Sequence, residues 1–244
     1  INILDPACGS GNFLTESYIC LRRLENQILL ELSKNGQMSF TDESTGYSPV
    51  LVSLKNFHGI EINDFACAVA RTALWIAEKQ ADADTLNIVR QIRNELPLTD
   101  YGTIHQGNAL RMNWNGVVQV NDSTYICGNP PFIGQYTKSS EQTADTKFVW
   151  AEDYDGYLDY ATCWYRKAAF FYGENNGKFA FVSTNSICQG QPVPALFGPL
   201  WKEGWEVSFA HRTFVWDTIS DDEAHVHVVI LGFEKNPHKR TLFY

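Results

Sequence analysis

The sequence predicts a doubly wound α/β fold whose mostly parallel, seven-stranded sheet ends in an antiparallel strand pair. Three observations predict it. Short apolar runs alternate with helix-patterned segments along most of the chain, the order that builds strand–helix–strand crossovers. With 244 residues, 44% hydrophobic and 19% charged, the chain is long enough for one large domain whose sheet is covered on both faces. The last two runs, "EVSFAHRTF" and "AHVHVVILGF", follow one another without a convincing helix between them, and neighbours joined that way pair antiparallel.

Each element has its own signal. "INIL" opens as a strand, and Leu14, Tyr18, Leu21, Leu24, Ile28 and Leu32 then recur at the spacing of one buried helix face. A polar, Gly- and Ser-bearing stretch at about residues 33 to 53 reads as an insertion or long loop. "FHGIEI" is the second strand, and Asp64 is placed to cap an Ala-rich helix running to about Glu78. "YGTIHQG" and "STYIC" are the third and fourth strands. From about Gly134 to Gly156 the chain is polar and lacks a continuous apolar face, which predicts a mobile stretch that orders on substrate. An aromatic helix at about 157 to 173, the strand "GKFAFVST" and a short helix in "VPALFGPLWKEG" lead to the final pair.

Composition narrows the function classes. No stretch approaches the roughly 20 uninterrupted apolar residues that a membrane-spanning helix needs, and no charged-then-apolar leader opens the chain. The six cysteines are scattered singly without a C-x-x-C pair, which points to reduced thiols and a cytoplasmic location. His225 and His227 share a strand face, but no further ligands adjoin them and no metal is expected. The chain starts at Ile1 with a strand already under way and stops at "KRTLFY", so residues 1–244 read as a single catalytic domain belonging to a longer polypeptide.

Two strand ends carry the chemistry. In "DPACGSGNF", residues 5–13, Gly9 and Gly11 lie between a strand and a helix, where they permit a tight turn and close approach of a ligand to the backbone. Leu14 stands where a dinucleotide fingerprint needs a third glycine, and Asp5 is poorly suited to a pyrophosphate but well suited to a cationic amine. Glu61 ends the second strand, placed to accept from ribose hydroxyls, and Asn108 ends the third. The fourth strand stops at Gly128 and turns through Asn129, Pro130, Pro131 and Phe132. Prolines cannot serve a sheet interior, so this backbone is a rigid turn at a strand end.

"DPACGSGNF" resembles motif I of the class I S-adenosylmethionine-dependent methyltransferases, which have a Rossmann-like fold. "NPPF" resembles motif IV of the amino-methyltransferases, lying downstream of motif I as in the gamma-ordered DNA adenine methylases. "DPACGSGNFL", "GIEIND", "GNALR", "GNPPFIG", "GYLDYATCWYRKAAFFY", "NSICQGQPVPALF" and "FAHRTFVW" together look like the methyltransferase domain of MmeI-like restriction-modification enzymes, over essentially the whole chain.

The resemblance implies methyl transfer from S-adenosylmethionine to the exocyclic N6 of adenine in a specific DNA sequence, without a metal in this domain. Asn129, Pro130, Pro131 and Phe132 would be catalytic, the last as a stacking surface for a flipped base. Asp5, Ala7, Cys8, Gly9, Gly11, Asn12, Phe13, Glu61, Ile62, Asn108 and Ala109 would hold the cofactor, with Asn108 in place of the family's usual Asp. Phe214 or Trp216 would be a second aromatic for the base. The net charge of -9 is wrong for a surface that grips phosphates. The resemblance therefore implies that double-stranded DNA is met through a target-recognition domain outside these residues, with a nuclease module in the same polypeptide. Methylation of cytosine N4 or of a protein glutamine, and a non-catalytic cofactor-binding scaffold, are the rival readings.

Overall fold

The computed structural model describes residues 1–34, 49–89, 101–216, 226–237 and 241–244; most of the expected insertion at 33 to 53, and His225, lie outside them. The described residues form two compact units, Asn2–Gly107 and Asn108–Tyr244 together with Ile1.

The first unit runs β1 (Asn2–Asp5), α1 (Asn12–Lys34), β2 (Phe57–Glu61), α2 (Asp64–Leu86) and β3 (Ile104–Gln106). The strands lie in the order β3-β2-β1 and are parallel, with Ile3 opposite Phe57 and Gly59 opposite Ile104. Gly59 is required by packing: a Cβ there would sit 2.7 Å from Cys8 Sγ and 2.9 Å from Ile104 Cδ1. Two helix expectations need correction. The buried stripe of α1 is Leu14, Tyr18, Arg22 and Leu29, while Leu24 and Ile28 are each 53% exposed. The stripe is rotated because Arg22 is satisfied inside: it donates to Tyr18 Oη (2.6 Å), Asp82 Oδ1 (3.0 Å) and Thr85 Oγ1 (2.8 Å), which tie α1 to α2. The cap of α2 is Asn63, whose side chain accepts from Ala66 N; Asp64 is the first helical residue, and the helix continues past Glu78 to Leu86.

The second unit holds β4 (Thr124–Gly128), α3 (Ser140–Trp150), α4 (Thr162–Tyr172), β5 (Lys178–Thr184), α5 (Pro192–Lys202), β6 (Trp205–Trp216), β7 (Val226–Lys235) and β8 (Leu242–Phe243). Their order is β4-β5-β7-β6-β8. β4 and β5 are parallel, whereas β7 runs antiparallel to both β5 and β6, the expected terminal pair. The two-residue β8, parallel to β6, is an eighth strand among the described residues that the seven-strand expectation lacks. Tyr165, Phe179, Phe181, Trp205 and Phe233 form the aromatic core, with Phe179 and Phe233 stacked at 5.2 Å.

Helix α3 overturns the expectation of a mobile stretch at 134–156. Ser139 and Gln142 form a reciprocal capping box. Asp145, Thr146, Val149 and Trp150 are buried at helical spacing, a narrow face that composition alone does not reveal.

Candidate functional site

In the first unit, the turn after β1 is built by the backbone. Asp5 is 1% exposed and its Oδ1 accepts from Ala7 N at 3.0 Å. Burial pushes the Asp5 carboxyl up to about 7; the Ala7 N–H pulls it the other way and the charge of Glu61 adds to the rise. Gly9 and Gly11 take φ of +52° and +86°. A Cβ on Gly11 would lie 3.0 Å from Ala70 Cβ, so α1 starts against α2 with no room for a side chain. Glu61, at the end of β2, braces this turn: Oε2 accepts from Gly9 N and Oε1 from Asn63 N, each at 2.9 Å. Cys8 N donates to Ile60 O (3.1 Å), and burial, chiefly, raises its thiol far above the ordinary range.

Around this floor Ala7 and Phe13 are half-buried, Asn12 is exposed, and Ile62 is 67% exposed. The expected cofactor residues from Asp5 to Phe13 and at Glu61 and Ile62 therefore fall at the carboxyl ends of two adjacent parallel strands, joined by the Glu61–Gly9 bond. That is the position at which doubly wound sheets bind ligands. The glycine turn and the exposed apolar Ile62 suit a nucleoside, and the buried Asp5 carboxyl suits a cation.

The second unit begins with Asn108 and Ala109. The Asn108 side chain is held at both ends: Oδ1 accepts from Leu110 N (2.9 Å) and Nδ2 donates to Asp145 Oδ2 (2.9 Å). Its amide oxygen retains one lone pair. Ala109 is buried and its carbonyl accepts from Trp114 Nε1 at 2.8 Å. Lys167 fixes the same turn by donating to Leu110 O and Met112 O (2.7 and 2.6 Å); burial, with Arg111 nearby, lowers it to about 8.

At the end of β4, Pro130 is buried, Pro131 exposed and Phe132 half-buried. The Asn129 Oδ1 is buried and has no hydrogen-bond partner. A buried acceptor left open costs free energy of about 1–3 kcal/mol. The turn leaves through Ile133, whose carbonyl accepts from Tyr160 N at 2.9 Å, and Gln135 N donates to Asp159 Oδ1 at 2.9 Å. Asp159, 5% exposed, also accepts from Ser186 Oγ, in the turn after β5.

Phe214 lies within β6 opposite Val228 and is 37% exposed; Trp216 ends the same strand, with its side chain outside the described part. Sequence reasoning missed Asp145, Asp159 and Tyr160. The signal for the first was the capping box of its helix; the other two carried none beyond the aromatic run. Among the described residues no group of three or more His, Cys, Asp or Glu could hold a metal ion, and no helix is long and apolar enough to cross a membrane.

A family model matches the whole chain, and known proteins resemble it. Residues 1–244 match the family described as MmeI, DNA-methyltransferase domain. DNA methyltransferase A of Bacillus subtilis (strain 168) is 39% identical over 238 residues, covering 96% of this chain and 26% of that protein. The solved structure of the type IIL restriction-modification enzyme MmeI in complex with DNA superposes with a TM-score of 0.87 and 35% identity, over 100% of this chain and 33% of that one. The nuclease-deletion mutant of the type ISP enzyme LlaGI, with a DNA substrate mimic, shares the fold at TM-score 0.60 and 15% identity. The chain thus spans about a quarter of the length of the Bacillus subtilis protein and a third of that of the MmeI chain.

Proposed function

We propose that this chain, which belongs to the MmeI DNA-methyltransferase domain family, transfers a methyl group from S-adenosylmethionine to the exocyclic N6 amine of adenine within a specific sequence of double-stranded DNA. The observation that carries the reading is the buried, unpartnered Asn129 Oδ1 at the head of a rigid Pro-Pro turn. The free protein tolerates this open acceptor, and an exocyclic amine is the group that would close it.

The residues fit the donor. The backbone at Gly9, where a Cβ would meet nothing within 4 Å, admits close approach of a ligand, Glu61 would accept from ribose hydroxyls with the lone pairs not used by Gly9 and Asn63, and Ile62 would cover one face of a purine. Asp5 would face the cationic end, and Asn108 with Ala109 the adenine edge. When bound, S-adenosylmethionine supplies an electrophilic methyl on its sulfonium.

The chain's part in the transfer is to make a poor nucleophile better. The lone pair of the N6 amine is delocalised into the purine ring. Asn129 Oδ1 and the Pro130 carbonyl, by accepting its two hydrogens, favour tetrahedral nitrogen and stabilise the positive charge that develops as the N–C bond forms. Pro130 and Pro131 fix the direction of that carbonyl through φ. Phe132 stacks on the flipped base, with Phe214 or Trp216 as the second aromatic. The N–C bond would form as the sulfonium S–C bond breaks to leave a neutral thioether, and the surplus proton of the methylated amine would pass to water, so no side chain with a tuned pKa is required at the nitrogen.

The DNA contact and a nuclease belong, in this reading, to other parts of a longer polypeptide acting as a restriction-modification enzyme in the cytoplasm. Cytosine N4 and a glutamine amide would also satisfy Asn129. Mass spectrometry of nucleosides and of release-factor peptides from cells with and without the full-length gene tests the choice. Gene-dependent N6-methyladenine at one sequence supports the proposal; N4-methylcytosine or methylglutamine in its place overturns it, and cofactor binding without any of the three favours a scaffold.

A further inference from the structure

Residues 133 to 160 leave the Asn129–Phe132 turn and come back to it. Tyr160 N meets Ile133 O, Asp159 meets Gln135 N, and Lys138 donates to Leu158 O, so the two ends are fastened side by side. Between them lies α3, already anchored by buried Val149 and Trp150. It nonetheless carries a second buried carboxylate, Asp145, 7% exposed.

Asp145 accepts three hydrogen bonds: from Arg111 Nε at 2.6 Å on Oδ1, and from Asn108 Nδ2 and Tyr160 Oη, each at 2.9 Å, on Oδ2. Burial opposes its ionisation, but the three donors together with the charge of Arg111 outweigh it and hold the carboxyl below its ordinary range. The Arg111 guanidinium also lies 4.4 Å from the Phe148 ring centroid, which fixes it from the other side. Only the carboxylate of this pair is buried, Arg111 being 44% exposed, and the desolvation of Asp145 offsets much of the attraction, so the pair is a poor device for stability alone. Its donors come from one place that matters, the turn after β3, and from one residue that matters, the Tyr160 whose N–H holds Ile133.

We infer that Asp145 is a positioning residue, which keeps the Asn108–Arg111 turn and the Asn129–Phe132 turn in one register through Tyr160. The inference rests on the proposed function, in which the first turn meets the cofactor and the second meets the base. The path has four members: Asn108 side chain, Asp145 carboxylate, Tyr160 phenol and backbone, and the Ile133 carbonyl one residue beyond Phe132. A loss of register of about 1 Å at a reacting centre can cost about 100-fold in rate.

The test uses the full-length polypeptide with S-adenosylmethionine and a duplex carrying its target adenine, both saturating, and reads the single-turnover rate. Tyr160→Phe cuts only the phenol link and keeps the ring that packs edge-on against Trp164. It is expected to slow transfer about 10-fold or more, with both dissociation constants within about twofold and the melting temperature within about 3 °C of wild type. Asp145→Asn is expected to slow transfer at least as much, and the double variant no more than Asp145→Asn alone, because both cut one link. An unchanged rate in a folded Tyr160→Phe variant, or losses in rate, affinity and melting temperature that move together and add in the double variant, overturns the inference. A wild-type enzyme that methylates another amine refutes the proposed function instead, and the same rate comparison on that amine still decides the relay. A wild type that methylates nothing overturns both.

Discussion

Replacing Asn129 by Ala should damage catalysis and spare the fold, and the reason lies in one oxygen. In the free protein Asn129 Oδ1 is buried without a partner, so its desolvation penalty of about 1–3 kcal/mol is already present. Ala removes that penalty along with a few packing contacts that cost about 1 kcal/mol. The net change in unfolding free energy is then between about zero and 2 kcal/mol in favour of the variant, a rise in melting temperature of at most about 4–8 °C for a chain of this size. In the transition state the same oxygen meets developing positive charge in a dry site, where one such acceptor is worth about 3–4 kcal/mol, or 100- to 1,000-fold in rate. Chemical denaturation gives the first number, and single-turnover transfer with the full-length enzyme gives the second; cofactor affinity should hardly change. A variant that is less stable by more than about 1 kcal/mol, or one that transfers methyl at the wild-type rate, refutes the reasoning, since the oxygen would then have a partner in the folded protein or none in the transition state.

Phe132→Ala should weaken retention of the flipped base by about 1–3 kcal/mol, the value of one stack, and a mismatched or abasic partner should partly restore it; if Asn129→Ala responds to the mismatch in the same way, the two residues do not divide the work. Glu61→Ala should weaken S-adenosylmethionine binding by about 1–3 kcal/mol in calorimetry, through lost ribose bonds and a loosened Gly9 turn; unchanged affinity removes Glu61 from the ribose. Asp5 sets a pH dependence, because burial raises it to about 7 in the free protein. Its ionisation is penalised in the folded state, so its stabilising contribution is fully present below the unfolded value of 3.8 and is lost as pH rises through about 7. A cation beside it lowers the carboxyl again, so cofactor affinity should climb with pH up to about 7 and then level off. Asp5→Asn should flatten that curve, and a curve of unaltered slope excludes Asp5 as the titrating group.

The strands and the motif-bearing turns were legible because each depends on local chemistry. Apolar runs ended by Gly-rich or Pro-rich turns define β1 and β4, β2 stops at Glu61 just before the Asn63 cap of a helix, and the β6–β7 pair follows from two strands with no helix between them. What was not legible depends on partners distant in sequence. Arg22 reads as a surface residue until Tyr18, Asp82 and Thr85 surround it, which is why the buried face of α1 was misplaced. Asp145 reads as one more solvated charge in an acidic stretch until Asn108, Arg111 and Tyr160 converge on it. Glu61 shows the intermediate case: its place at a strand end follows from the sequence, but its hold on Gly9, 52 positions earlier, does not.

The fastened ends of the 133–160 excursion separate its length from the geometry of the turn it leaves. With Ile133 and Tyr160 joined, added residues inside the excursion lengthen a loop whose ends are already closed, and each doubling of loop length costs only about 0.6 kcal/mol of closure entropy. Insertions at the exposed Gly156, outside α3, thus leave the Pro-Pro turn where it is. A lobe beside the reacting base can in this way change size, charge and surface chemistry over evolutionary time, or accept an engineered label, while the atoms that handle the methyl group stay fixed.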